Sequence, residues 1–324
     1  MEVTFAGSPD RVEARLVPEA GFELDTFRIS GLPRRPSVAL ARALFFAGAA
    51  PRACAQILAR RRPDVVLGGG GYVAGPMVFA AWRQRIPAAL TEADARLGLA
   101  NRLAAPFARR IFLSYPPPRA PRPKERVTGR PVPLRSRPVP QAEARTRLGL
   151  PGEGAVLGVF GALAGARNLN ELALSAWADA GPPVLHLAGE RDFTELAERK
   201  RRADYLLLPS VERFGAALSA VDLAVSRAGG TVWELAAAGV PAILVPYPHA
   251  TGDHQTLNAR YFESAGGAVL VPESRLAEVP GFADELLADP DRLARMRDAM
   301  LGLARLDAAA VIADELVALA GGGR

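Results

Sequence analysis

The sequence predicts an α/β protein made of two doubly wound domains, and three observations carry the prediction. Short apolar runs alternate with helical segments along nearly all of the 324 residues. These runs fall into two successive sets of about six. A stretch rich in Pro and Arg, "GRPVPLRSRPVPQAEARTRLGLPGEG", separates the sets and has no apolar period before Ala142. Apolar runs with helices between them are the pattern of buried parallel strands in βαβ units. Two such domains facing each other leave a cleft lined by the carboxyl ends of both sheets, where open α/β sheets bind ligands.

In the first set the expected strands are Val3–Phe5, Phe27–Ile29, Val65–Leu67, Ala88–Leu90, Ile111–Leu113 and Arg126–Thr128. In the second they are Val156–Phe160, Val184–Ala188, Tyr205–Leu208, Leu223–Val225, Ala242–Val245 and Ala268–Val271. The expected division is residues 1–133 for the first domain, 134–150 for a linker and 151–324 for the second. Late helices are expected around Leu293–Leu303 and Ala308–Leu319, either closing the second domain or crossing back to the first.

Composition narrows the chemistry. A hydrophobic content of 49% is ample for two cores. The single Cys54 excludes a disulfide framework and a cysteine metal site, and His186, His249 and His254 are too scattered for a histidine cluster. No basic leader with an apolar core opens the chain, and no apolar run approaches about 18 residues, so a soluble cytosolic protein is the default expectation. Charge is divided. Residues 1–150 hold 25 Lys or Arg against 11 Asp or Glu, a balance of +14, and the remainder holds 15 against 23, a balance of −8. A basic half of that size suggests an anionic partner. Aromatics, at 6%, are too few for a base-stacking surface, so nucleic acid is not the expected partner.

Three glycine turns follow strands. In "SRAGGTVWELAAAGVP", residues 226–241, the turn Arg227–Thr231 opens a helix. Gly229 and Gly230 let a ligand approach the backbone, and free N–H groups at the helix start favour an anion. Glu234, one turn in, suits two vicinal hydroxyls, as on a ribose. "FGALAGARNLNE" places Gly161 and Gly165 in a second phosphate-compatible turn. "LGGGGYVAGP" puts four consecutive glycines, Gly68 to Gly71, after a strand of the basic half, which suggests anion binding by successive amides. The polar loop "PYPHATGDHQTLNARYF" gathers His249, His254, Gln255 and Asn258, whose groups suit sugar hydroxyls, or else is a loop with Asp253 as a helix cap.

Together "PDVVLGGGGYVAGP", "TEADARLGLANR", "FGALAGARNLN", "SRAGGTVWELAAAGVPAILVPYP" and "DHQTLNA", with "DRVEARLVPEAG" and "RISGLPR" before them, resemble the MurG family of glycosyltransferases. The resemblance runs from Met1 to about Leu319. It implies a GT-B fold, two Rossmann-like domains across a cleft, and an inverting, metal-independent transfer of N-acetylglucosamine (GlcNAc) from UDP-GlcNAc. The implied acceptor is the lipid-linked muramyl-pentapeptide pyrophosphate of peptidoglycan synthesis, so lipid I becomes lipid II. No cofactor is implied beyond the donor substrate. Carried onto this chain, the family's pattern gives Glu234 the ribose, the turn Arg227, Gly229, Gly230, Thr231 the diphosphate, and Gly161, Gly165 and Arg167 a place beside it. His254 and Gln255 would contact the GlcNAc hydroxyls with Asn258 nearby, and Val211 would offer backbone groups to uracil. Gly70, Gly71, Tyr72 and Gly75 would bind the acceptor pyrophosphate, and Glu92 would line the cleft. The family's candidate base is the His of a GGTGGH turn that has no match here, which leaves Glu92 or Asp94 as the expected catalytic base.

Departures are local. The family's first strand and its GGTGGH turn have no counterpart before Met1, for which a start placed too late is the expectation, real truncation being the other. Thr91, Asp94, Leu163 and Pro133 stand where His, Asn, Ser and Arg are usual. A lipid-linked acceptor implies peripheral association with the cytoplasmic face of the membrane. The +14 half and the Arg-bearing apolar segments "PSVALARALFFAGAAPRACAQILARRR" and "NRLAAPFARRIF" suit anionic headgroups, though both also read as core-facing helices. The competing functions are a catalytically impaired UDP-sugar-binding paralogue and a GT-B transferase with another lipid or natural-product acceptor. A dinucleotide oxidoreductase is disfavoured, because no G-x-G-x-x-G precedes an acidic residue at the required distance. Asp289–Pro290–Asp291 reads as a helix cap rather than a metal motif.

Overall fold

A computed structural model describes residues 2–29, 38–161, 166–199 and 201–322, with the backbone alone for 38–47. It divides into two compact units, one of Met1–Thr128 with Ala310–Arg324 and one of Gly129–Ala309.

In chain order the first unit begins with β1 (Phe5–Gly7), α1 (Glu13–Glu19), β2 (Leu24–Thr26) and α2 (Val38–Arg61). It continues with β3 (Val66–Gly68), α3 (Gly71–Arg83), β4 (Ala88–Glu92), α4 (Leu99–Ala104), β5 (Arg110–Leu113) and β6 (Glu125–Val127). All pairings are parallel, and they form two ladders, β1-β2 and β3-β4-β5-β6. Successive strand residues face opposite sides. Leu90, Ile111 and Leu113 accordingly join Cys54, Leu58 and Val78 in one core. Ala89 and Phe112 turn the other way, onto Ile312, Leu316 and Leu319. Those last three belong to the closing helix of the chain, and Glu315 on it pairs with Arg110 and, at 3.7 Å, with Arg126.

The second unit holds α5 (Gln141–Leu148), β7 (Leu157–Phe160), α6 (Arg167–Trp177), β8 (Val184–Leu187), α7 (Glu190–Ala197), β9 (Tyr205–Leu208) and α8 (Phe214–Ala220). Then come β10 (Leu223–Ser226), α9 (Thr231–Ala238), β11 (Ala242–Leu244), α10 (His254–Ser264), β12 (Ala268–Leu270), α11 (Val279–Leu287) and α12 (Pro290–Leu303). The closing helix, α13 (Ala308–Gly321), belongs to the first unit from Ala310 onward. The strands of the second unit form one parallel sheet in the order β12-β11-β10-β7-β8-β9. The inner strands β7, β10 and β11 are buried along their whole length, as their uninterrupted apolar sequences require of strands covered on both faces. Asp289 accepts a bond from the Arg292 amide at 2.9 Å and so caps α12, with Pro290 at the first helical position.

Strand positions follow the sequence expectation to within one to three residues. The largest shift is β2, expected at Phe27–Ile29 and found at Leu24–Thr26. Phe27 is buried, and its amide still donates to the Gly7 carbonyl at 3.0 Å just past the ladder. Its hydrophobicity therefore marks the core rather than the strand. The Pro- and Arg-rich stretch holds α5, which the second unit fixes through buried Arg145. That guanidinium binds Asp222 at 2.6 Å and the carbonyls of Ala220, Gly152 and Gly154 at 3.0–3.1 Å.

Candidate functional site

In the second unit the chain winds outward from β7 through β8 to β9, then returns to β10 on the other side of β7. Such a switch point in strand order is where an open parallel sheet leaves a crevice. The Ser226 hydroxyl donates to the Phe160 carbonyl at 3.1 Å and ties the two strand ends together. A Cβ on Gly161 would stand 2.9 Å from the Ala166 amide nitrogen, so this position favours glycine. Behind it a buried polar chain braces α6. His186 contacts the Tyr205 hydroxyl at 2.8 Å and the Asn170 Oδ1 at 2.9 Å, and the Asn170 amide donates to Ala188 and Asp192. Burial first, and then the charge of Arg201, push His186 down to about 3, so it stays neutral and adds no charge to the crevice.

The crevice encloses about 510 Å³. Of the residues predicted for donor binding, Gly161, Arg167, Arg227, Gly229, Gly230, Thr231 and Gln255 line it. His249, noted in the polar loop, lines it too, as do Asn168, Arg191, Tyr247 and Glu273, which the sequence did not single out. Glu273 follows β12, so the strand-end rule could have flagged it. Gly165 lies outside the described residues.

Helix α9 opens onto this space without a side-chain cap, with Gly230 at the N-cap position. Its first amides and the positive end of its dipole therefore suit an anion. Fully buried Asn258 donates to the Ala228 carbonyl at 3.0 Å and pins the turn from behind; it supports the turn and is not among the lining residues. Gln255 accepts from the Tyr247 amide at 2.9 Å, which turns its side-chain nitrogen toward Gly229. The His254 ring meets the Thr251 carbonyl at 2.9 Å through Nδ1, which must therefore carry a proton. Asp253 does not cap α10. It sits at φ 56° and accepts from the Thr256 hydroxyl at 2.7 Å.

Arg227 is placed differently from its expected part as a cation for the diphosphate. It is buried, its guanidinium grips the Glu273 carboxylate with both nitrogens, and it also reaches the Val245 carbonyl at 3.2 Å. Asn168 donates to the same carboxylate at 2.6 Å. Burial works against the Glu273 charge, but the hydrogen bonds from Arg227 and Asn168 and the Arg227 charge outweigh it and hold the carboxyl below its ordinary value. One carboxylate thus joins the start of α6, the turn after β10 and the end of β12. The Arg227 charge is matched inside the wall of the crevice.

Glu234 lies one turn into α9, half-buried, and accepts a hydrogen bond from Ser136 at 2.6 Å. It stands beside the crevice rather than in its lining, as does Val211, half-buried just before α8. Ser136 is fully buried in the stretch expected to be a linker, and nothing in the sequence pointed to it.

In the first unit the four glycines divide by cause. Gly68 has no room for a Cβ, which would stand 2.8 Å from the Leu90 side chain, and Gly70 and Gly71 need positive φ, 87° and 65°. Gly71 and Gly75 are open above the helix, and Tyr72 is 55% exposed, so the predicted acceptor-binding residues share an accessible side of α3. Glu92 is buried at the end of β4. Its carboxylate accepts from the Gly98 amide at 2.8 Å, the Asn101 side chain at 2.9 Å and the Asp94 amide at 3.2 Å. It organises the loop that carries Asp94.

The glycosyltransferase family 28 N-terminal domain matches residues 1–113, and the family 28 C-terminal domain matches residues 156–315. Curated relatives share the name UDP-N-acetylglucosamine--N-acetylmuramyl-(pentapeptide) pyrophosphoryl-undecaprenol N-acetylglucosamine transferase. The one from Halothermothrix orenii is 36% identical over 91% of this chain and 85% of its own length. That from Acidithiobacillus ferrooxidans is 39% identical over 99% and 91%. Among solved structures, Acinetobacter baumannii MurG superposes with a TM-score of 0.76 at 26% identity, covering 97% of this chain and 90% of that one. The calicheamicin glycosyltransferase CalG4 superposes with a TM-score of 0.68 at 17% identity, over 99% and 91% of the two chains, and shows the shared fold alone. With both domains matched and relatives this similar along almost their whole length, the chain belongs to the MurG family of glycosyltransferases, of GT-B fold.

Proposed function

We propose that the chain transfers GlcNAc from UDP-GlcNAc to the lipid-linked muramyl-pentapeptide pyrophosphate, with inversion at C1. The observation that carries this is the uncapped start of α9 at the β7–β10 switch point, with Glu234 one turn further in. The amides of Gly229, Gly230 and Thr231 take the diphosphate, and Glu234 takes the ribose hydroxyls. Gln255 and His254, on the loop into α10, take the hydroxyls of GlcNAc, and the backbone near Val211 takes uracil. The acceptor pyrophosphate goes to the α3 side presenting Gly70, Gly71, Tyr72 and Gly75. Glu92, with three donors on its carboxylate, holds its loop, and Asp94 on that loop takes the acceptor proton. Purified protein is expected to move labelled GlcNAc to a soluble lipid I analogue and to release UDP only with acceptor present. Donor binding without transfer would select the impaired paralogue instead.

The same reading brings the first unit to the membrane surface. No helix among the described residues is long and apolar enough to cross a bilayer. Trp82, Leu99 and Leu103 are 50–65% exposed on neighbouring α3 and α4, and Arg83, Arg85, Arg102 and Arg109 are exposed near them in sequence. Apolar side chains among cations suit shallow insertion at an anionic interface. The long apolar segment at 36–47 lies outside the described side chains. Co-sedimentation at low salt should be stronger with anionic than with neutral vesicles, and equal binding to both would remove this part of the proposal.

A further inference from the structure

A departing diphosphate gathers negative charge, and the cations that line the crevice are already matched. Arg227 is tied to Glu273, Arg167 pairs with Glu195 at 3.1 Å, and Arg191 pairs with Asp192 at 2.8 Å. Arg130 differs. It is half-buried, and among the described residues it makes no hydrogen bond and no ion pair. Its guanidinium lies against Gly230, where an added Cβ would stand 2.6 Å from both Cζ and Nη2 and 3.0 Å from Nη1.

Two features of this contact are unexplained by folding alone. Gly230 has ordinary right-handed helical angles, φ −60° and ψ −30°, which any residue adopts. Its lack of a side chain leaves the room in which the Arg130 guanidinium rests, and a Cβ there would make that guanidinium shift. The guanidinium also rests at the positive end of α9, where a cation is repelled by the helix dipole. An anion between the two removes that conflict, because the helix amides and the guanidinium then attract the same group. The preceding residue, Gly129, has φ +75°, and a Cβ on it would stand 2.6 Å from the Arg305 side chain, so both torsion and space favour glycine there.

We propose that Arg130 is the cation that grips the diphosphate of the sugar nucleotide, reaching it across Gly230 with its guanidinium N–H groups. The proposal rests on the donor-site reading above and assigns a residue that the sequence motifs did not mark. In the transfer, the acceptor oxygen forms a bond to C1 of the sugar while the bond from C1 to the β-phosphate oxygen breaks. The electron pair leaves with UDP, and the acceptor proton passes to the base. Arg130 neutralises charge that grows on the β-phosphate in that step, so it acts more strongly on the transition state than on the bound donor.

The test compares Arg130→Gln, Arg130→Lys and Gly230→Ala with the parent, using calorimetry with uridine and with UDP alongside transfer assays. Arg130→Gln is expected to weaken UDP about 10- to 100-fold, the worth of a hydrogen bond to a charged group, and to lower kcat further. Uridine, which has no phosphate, should bind as in the parent. Arg130→Lys should recover part of the loss, since it keeps the charge without the fork. Gly230→Ala should reproduce the loss by displacing the guanidinium, but add little in the Arg130→Gln background. A parent that binds UDP and an Arg130→Gln variant that matches it in UDP affinity and kcat would overturn this assignment alone. Equal loss of uridine and UDP binding would make Arg130 a support of the fold and overturn it too. A parent that binds no UDP would remove the donor-site reading and this one with it.

Discussion

Replacing Glu234 by Ala is expected to weaken UDP-GlcNAc binding about 10- to 100-fold, because a carboxylate accepting two hydroxyl bonds makes charge-assisted interactions of roughly 1.5–3 kcal/mol. The ribose is remote from the bond that breaks, so the loss should fall on KM and leave kcat nearly unchanged, as for an interaction made equally in ground and transition states. Glu234 already accepts from the Ser136 hydroxyl at 2.6 Å, which fixes its direction and leaves lone pairs for the ligand. Ser136→Ala should therefore act in the same sense with a smaller effect, about a few-fold for one neutral hydrogen bond. Calorimetry with UDP and with UDP-GlcNAc checks both. A Glu234→Ala variant with parental affinity would end the ribose assignment.

The largest effect on stability is expected from Asp222→Ala. Asp222 accepts from Arg145 at 2.6 Å and from the Val156 amide at 2.8 Å, and the Arg145 side chain is only 5% exposed. Removing the carboxylate leaves a buried guanidinium without its counter-charge, which costs about 3–5 kcal/mol. For a unit of this size that lowers Tm by roughly 6–20 °C. Arg145→Met combined with Asp222→Leu should lose less than Asp222→Ala alone, because no charge is then stranded. Thermal melts followed by circular dichroism decide the matter, and a melting point within about 2 °C of the parent would show that Arg145 finds another partner, since surface-like substitutions cost under about 0.5 kcal/mol.

Much of this architecture is legible in the sequence because it rests on patterns that need no partner. Buried parallel strands such as β7 and β10 announce themselves as apolar runs, and a glycine turn after each marks the crevice. What stays hidden is which distant side chains meet. Arg227 reads as a free cation until the sheet order brings Glu273, 46 residues later, against it. Ser136 lies 98 residues before Glu234 and sits in a stretch that looks like a tether. Gly230 looks like turn chemistry, whereas its backbone is ordinary and its bareness leaves room for the Arg130 guanidinium. The four glycines after β3 show the same limit. Their run suggests a cradle of amides, yet Gly68 is required by the Leu90 side chain and Gly70 and Gly71 by their own torsions. Pairings that depend on strand order cannot be read from local period, and those pairings distinguish residues that touch a ligand from residues that shape its surroundings.

Among the described residues, the two halves devote the same number of strands to very different perimeters. Six strands in one sheet end at β12 and β9, while six strands in two ladders end at β1, β2, β3 and β6. Water can compete for main-chain hydrogen bonds along each such border. Leu67 in β3, 42% exposed, belongs to such a border. Among the described strands, local opening under heat or denaturant is therefore expected first at such borders.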